Sequence, residues 1–271
     1  MSRLRVKRSR SRFRPVSSGA SGYQYGYPTT PSPVEPNVAV QFLFDEASGD
    51  IVDEVASLTL ADSGSPTYSV AFSGAWSAMT PGIRCSPAAG ESAFLTTTDP
   101  AALVLTGTTD AVIEFTARFD DAVDASVGGA TTGYFLNMSD SAGAPGIAIS
   151  VVNAQSASSN IAMDVYEDGA SGVNLVWVDP FSGAAPWVGG NATPNKYRFA
   201  IDRTADTVTL YIDGVSKGAK SIAAITGDTI TPGQLKVGGR HDTFRPLDVT
   251  FTELRFTVGN KTNNSGGPGG G

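Results

Sequence analysis

Two glutamates stand where a carboxylate could act on a substrate. Glu114 lies in AVIEFTARF (111–119) and Glu253 in TFTELRFTV (250–258), both strand-like segments. Glycoside hydrolysis needs a pair of carboxyl groups at a set separation. Each of these acids instead stands alone on the polar side of its segment, so solvated charge is the expectation for both. Asp120, Asp121 and Asp124 fall together in a loop. With one histidine, His241, and one cysteine, Cys85, a zinc site has almost nothing to draw on and no internal disulfide can form. Cys85 reads as a small core residue, because no neighbouring motif would activate its thiol. No Ser-His-Asp set, phosphate loop or dinucleotide fingerprint is present. The expectation is a protein that is not an enzyme and carries no cofactor.

Binding chemistry has more to work with. Carbohydrate sites on β-sandwiches use Asp/Asn loops, often with calcium, and an aromatic ring on which a sugar stacks. The residues of those types are Asp140, Asp164, Asp168, Asp179, Trp177 and Trp187. Trp177, Asp179 and Trp187 are the carbohydrate-binding candidates. Trp187 sits in the Pro/Gly-rich stretch PFSGAAPWVGGN, where either packing between loops or sugar stacking accounts for an indole. No acid-rich spacing specifies calcium.

The elements that must position these groups read as strands. In YRFAIDRTADTVTLYIDG (197–214), Tyr197, Phe199 and Ile201, then Val208, Leu210 and Ile212, alternate with polar residues around a short polar break. This is a hairpin with one buried face. Asp213-Gly214 ends it with a dipeptide that tolerates positive φ. Val38, Val40, Phe42 and Phe44 share one face of a first strand. Ile51, Val52 and Val55 are expected to return inward, and Leu58 and Leu60 mark a further strand. Residues 67–100 read as irregular, anchored by Trp76, Cys85 and Phe94. Ala111, Ile113, Phe115, Ala117 and Phe119 alternate on a strand with one solvated face. Strands follow at 134–139, 146–153, 161–167, 173–178 and 233–239, and a last one carries Thr252, Leu254, Phe256 and Val258 inward. No window keeps a 3.6-residue apolar period. About twelve short strands in some 220 residues predict an all-β, two-sheet antiparallel jelly-roll sandwich.

Charge divides the chain. Residues 1–14 carry seven basic side chains, Arg3, Arg5, Lys7, Arg8, Arg10, Arg12 and Arg14, and no acid. The whole chain has 19 basic and 26 acidic residues, so beyond the arm 12 basic residues face 26 acidic ones, a net of −14. Residues 15–36 are rich in proline, with Tyr23, Tyr25 and Tyr27 alternating. Fully extended, residues 1–36 would reach on the order of 120 Å. The organisation expected is an extended arm (1–36), a sandwich (37–259) and a Gly-rich tail (260–271). No apolar run approaches the roughly 20 residues that span a bilayer, and, with no apolar segment after the basic stretch, a secretory signal is not expected. Nucleic-acid binding would give a salt slope of up to roughly −6, but no aromatic platform accompanies the charge, so nucleic acid is not the expected partner.

Three strings carry a family resemblance. VAVQFLFDEASGDIVDEVASLTL (38–60) resembles the opening of laminin-G-like domains in the concanavalin A-like lectin/glucanase superfamily. YRFAIDRTADTVTLYIDGVSKG (197–218) is similar to the central hairpin of that family, and FTELRF (251–256) to its closing strand. The resemblance implies the jelly-roll fold over residues 37–259. It implies no ligand, because the superfamily hosts lectins, glucanases, receptor modules and viral structural domains. The Glu-x-Asp-x-x-Glu string of the family's glucanases is missing here.

The basic arm is similar to that of a bacteriophage virion protein. The expectation is therefore a capsid decoration or auxiliary protein at the virion surface, made in the host cytoplasm. Its arm residues, with Tyr23, Tyr25 and Tyr27, would hold an acidic major capsid or other virion protein, and several copies would form an oligomer or lattice. The alternative is a lectin-like module of a phage fibre or surface protein, with a glycan partner and, optionally, calcium.

Overall fold

The computed structural model describes residues 38–56, 58–63, 66–72, 79, 81–85, 93–96, 101–107, 109–120, 132–138, 146–152, 160–168, 172–178, 180–181, 193–226, 229–239 and 247–259. The basic arm, the three alternating tyrosines, Trp76 and the Gly-rich tail lie outside them.

Two antiparallel sheets face each other. The first runs in the order β15 (Val215–Ser221), β14 (Thr207–Ile212), β13 (Asn195–Asp202), β8 (Ala111–Phe119), β18 (Val249–Val258), β5 (Gly82–Cys85) and β4 (Thr67–Val70). The long strand β18 lies against β8 on one side. On its other side β5 pairs with its first half and β1 (Val38–Phe42) with its second. The second sheet runs β12 (Gly172–Val178), β11 (Asn160–Tyr166), β10 (Gly146–Val152), β9 (Thr132–Asn137), β17 (Lys236–Val237), β6 (Ala93–Thr96), β3 (Thr59–Ser63) and β2 (Ile51–Val52). A small ladder joins β7 (Leu105–Thr106) to β16 (Thr229–Ile230). The two-sheet sandwich is thus the architecture.

The core fills the gap between the sheets with the alternate residues of each strand, as pleated geometry demands. Phe115 sits at its centre, with ring centroids 5.0 Å from Tyr197, 4.9 Å from Phe135 and 6.2 Å from Phe251. Truncating such a ring costs about 3–5 kcal/mol. Trp177 joins this layer edge-on to Phe199 at 5.7 Å. Its indole Nε1 donates a 2.8 Å hydrogen bond to the Gly218 carbonyl, tying edge strand β12 to edge strand β15 across the sandwich. Tyr197 is 0% exposed, and its hydroxyl has no hydrogen-bond partner among the described residues.

The central hairpin forms as its alternation predicts, with Tyr197 opposite Ile212 and Ile201 opposite Val208. Asp213 (φ 50°) and Gly214 (φ 79°) then make the two-residue turn with positive φ at both positions that suits a hairpin. The Asp213 carboxylate secures the turn from outside, accepting from the Lys196 backbone N–H and the Asn195 side chain, each at 2.8 Å. Beyond the turn the chain adds β15, an exposed edge strand with two lysines that is not apparent in the alternation.

Several expectations are corrected. Residues 67–100 contain β4, β5 and β6. Gly82 in β5 is hidden from propensity because it is there for space: a Cβ would stand 2.4 Å from the Phe251 carbonyl oxygen. Val52 and Val55 face outward, 51% and 38% exposed, and only Ile51 turns in. In β18 a bulge between Phe251 and Glu253 shifts the phase of the alternation, so that Phe251 rather than Thr252 enters the core. The outer face of β8 is also drier than expected, with Val112 and Thr116 buried. Cys85 is buried in the core, as its sequence suggests.

Candidate ligand-binding face

The cross-strand register builds a row of long side chains on the outer face of the first sheet. Alternation on β8 sends Ile113, Phe115 and Ala117 inward and Glu114 outward. Opposite Glu114 stand Arg198 of β13 and Arg255 of β18. Arg255 is opposite Gln41 of β1, and Arg198 is opposite Tyr211 of β14, which is opposite Ser216 of β15. One row across six strands therefore reads Gln41, Arg255, Glu114, Arg198, Tyr211, Ser216.

Electrostatics hold the centre of this row. Arg255 donates to Glu114 Oε2 from Nε at 3.2 Å and from a terminal nitrogen at 2.5 Å. Lys196 Nζ lies 3.6 Å and Arg198 Nε 3.8 Å from Glu114 Oε1. The guanidinium of Arg198 also lies over the Tyr211 ring, 5.2 Å from its centroid. Burial pushes the Glu114 carboxyl up, but Lys196, Arg255 and Arg198 together outweigh it and hold it below its ordinary 4.5. Glu114 is therefore not the solvated lone acid its sequence suggests. Its partners lie 82, 84 and 141 residues further along the chain, where only strand pairing brings them together. A carboxylate held in the ionised form among three cations is a poor proton donor, which disfavours the general-acid role in glycoside hydrolysis. Glu253 accepts a 3.1 Å hydrogen bond from Gln41 Nε2. Gln41 is 1% exposed, and its Oε1 receives no hydrogen bond among the described residues.

A second ionic group occupies the same face nearer β5. Asp248 receives a two-pronged contact from Arg84, at 2.6 and 2.7 Å. Arg118 pairs with Asp120, which also accepts from the Thr250 hydroxyl. The Arg118 guanidinium covers the Phe72 ring, 4.7 Å from its centroid. This group is electrically balanced, and its charges brace the sheet.

The other candidates separate. Trp177 is 2% exposed and committed to the Phe199 and Gly218 contacts, so it offers no stacking surface. Even alternation with the outward Asn174 and Val178 places it inward. Asp164 accepts from Asn174 at 2.6 Å, and Asp168 holds the Thr231 N–H and hydroxyl at 3.0 and 2.6 Å, both local braces. Asp121, Asp124, Asp140, Asp179, Trp187 and His241 lie outside the described residues. The Lys196–Arg198–Arg255 grouping was not anticipated. The one signal available for it was the lysine and two arginines on the polar side of otherwise alternating strands.

No protein-family model and no curated protein sequence matches the chain. Solved structures do. The botulinum neurotoxin serotype D binding domain superposes with a TM-score of 0.61 at 10% identity, covering 84% of this chain and 49% of that one. The serotype D ligand-binding domain in complex with N-acetylneuraminic acid gives 0.55 at 10% identity, covering 84% and 49%. The binding domain of botulinum neurotoxin DC in complex with rat synaptotagmin II gives 0.55 at 9% identity, covering 82% and 48%. The chain spans about half the length of these domains. Identities this low carry the β-sandwich fold alone. The narrower laminin-G-like likeness and the likeness to a virion protein rest on the sequence strings quoted above.

Proposed function

We propose that this chain is a non-enzymatic binding module whose sandwich recognises a carbohydrate. The observation that carries this reading is the outer face of the first sheet. Its acidic group best placed for hydrolysis, Glu114, is locked by three cations, while basic, aromatic and hydroxyl side chains are ranged around it. Such a face suits binding better than turnover. The names of the structural neighbours support the same reading, since they are binding domains and one is bound to a sialic acid. A glycan array probed with the full chain, with and without calcium, tests it. Reproducible binding to a defined set of glycans is expected, and a blank array in both conditions overturns it. Loss of binding on Trp187→Ala would place the contact in the 181–192 stretch instead of on this face.

A second reading keeps the virion role, and it rests on the seven cations of residues 1–14. In it the arm grips an acidic capsid lattice and the acidic sandwich projects outward as an oligomeric decoration. Deleting residues 2–14 should then abolish capsid binding, and native occupancy by the truncated protein would end this reading.

A further inference from the structure

The second sheet carries one aromatic ring in an unusual setting. Alternation on β11 sends Ile161, Met163 and Val165 into the core, each 0% exposed, so Asp164 and Tyr166 stand on the outer face. Across β10, β11 and β12 the register leaves Tyr166 as the single side chain of its row, opposite Gly146 on one side and Gly172 on the other. The ring lies over Gly172, where an added Cβ would run into its Cδ1 and Cε1 carbons. It is thus tipped away from the buried Gly146 and toward the exposed Gly172 on edge strand β12.

The same outward face of β12 continues from this ring in even register. Asn174 follows Gly172, is exposed, and donates from its amide to Asp164 at 2.6 Å. Val176 and Val178 come next. Val178 is 69% exposed, the most exposed large apolar side chain among the described residues. From Gly172 to Val178 the strip is about 20 Å long at the usual strand rise. It reads, in a straight line, as an aromatic shelf, a hydrogen-bonding pair and two apolar spots.

We propose that this strip is a second carbohydrate site, which takes an extended, β-linked chain of pyranoses with one sugar ring stacked on Tyr166. The proposal rests on the carbohydrate reading above and adds a site on the sheet opposite the Glu114 row. The face of the tyrosine ring is electron-rich and attracts the C–H groups on the apolar face of a sugar. Glycines on both sides leave no wall beside the ring, so the pyranose it suits keeps its hydroxyls equatorial. Asn174 lies about 7 Å along the strand from the ring's row, within the span of one sugar. Its amide nitrogen is engaged with Asp164, and its carbonyl oxygen accepts a sugar hydroxyl. A peptide added as a further strand fits less well. It would need the β12 backbone edge, and the Trp177–Gly218 bond already brings β15 there.

The test is isothermal titration of the full chain with cellotetraose, which is extended, and maltotetraose, its α-linked counterpart, which curls. Wild type should bind cellotetraose about fivefold more tightly or better, the size of one aromatic contact. Tyr166→Phe keeps the ring and should leave the affinity unchanged. Tyr166→Leu keeps an apolar cover over Gly172 without a flat face and should remove the preference. Gly172→Ala displaces the ring without deleting it and should weaken cellotetraose to the same degree, with an unchanged circular dichroism spectrum. Cellotetraose binding that survives both Tyr166→Leu and Gly172→Ala overturns the site and leaves the carbohydrate reading standing. Equal affinity for the two sugars in wild type, or binding of neither, overturns the proposal; the glycan array with the full chain then decides the broader reading by itself.

Discussion

Replacing Glu114 by glutamine removes the charge around which the outer row is organised and leaves the side-chain volume unchanged. Arg255, with a side chain 9% exposed, then loses its carboxylate but keeps a neutral acceptor. Removing one partner of a fully buried pair costs about 3–5 kcal/mol. Glu114 is 15% exposed, and its other partners Lys196 and Arg198 are 40% and 22% exposed. Solvent therefore screens part of the loss, and about 2 kcal/mol is the expected destabilisation at pH 7. The pH dependence follows from the lowered pKa of Glu114. A carboxyl depressed in the folded state contributes stability that is present above its unfolded value, near 4.5, and is lost as pH falls through the folded value. The gap between wild type and Glu114→Gln should thus be full at pH 7 and shrink below pH 4.5. Urea unfolding of both proteins at pH 7, 5, 4 and 3 measures it. A gap that stays constant across this range, or one below about 0.5 kcal/mol at pH 7 as for an exposed pair, refutes the reasoning.

Tyr197→Phe should leave stability at pH 7 unchanged or raise it by about 1 kcal/mol, because it removes a buried hydroxyl with no partner among the described residues. Burial, then Asp213, pushes the Tyr197 phenol well above its ordinary 10.0. Its contribution is therefore whole below pH 10 and lost as pH rises beyond, so wild type should weaken there relative to Tyr197→Phe in denaturant titrations; a loss of more than 1 kcal/mol at pH 7 would mean that the hydroxyl is bonded. Gly214→Ala should cost about 1–2 kcal/mol by thermal unfolding; a Cβ there meets nothing within 4 Å, so the whole cost comes from φ 79°, and an unchanged melting temperature would rule out the turn geometry. Trp177→Phe should lower stability by about 1–3 kcal/mol and speed amide exchange in β15, since it deletes the bond between the two sheet edges.

The fold was legible where burial on one face alone decided the pattern. Tyr197, Phe199 and Ile201 on β13 and Ile113, Phe115 and Phe119 on β8 lie inward as their alternation dictates. It was illegible where a strand is short, exposed or phase-shifted. β15 has no buried face to mark it, and β5 contains a glycine chosen for clearance against Phe251. The bulge in β18 inverts the pattern on either side of itself. The charged row on the outer face was hidden for a different reason. Each of Glu114, Arg198 and Arg255 is an ordinary polar residue on its own strand, and their mutual compensation exists only after the pairing of β13, β8 and β18. Conversely, Trp177 is of the residue type on which a sugar stacks, yet its even register with Leu175 already placed it in the core.

The central claim, that this sandwich binds carbohydrate and does not turn it over, is most directly tested by one glycan array read with the full chain, both for bound protein and for cleavage of the printed glycans. Binding to a defined set of glycans, with every printed chain left intact, is the predicted result. A blank array, or a bound glycan that is cleaved, would contradict the account.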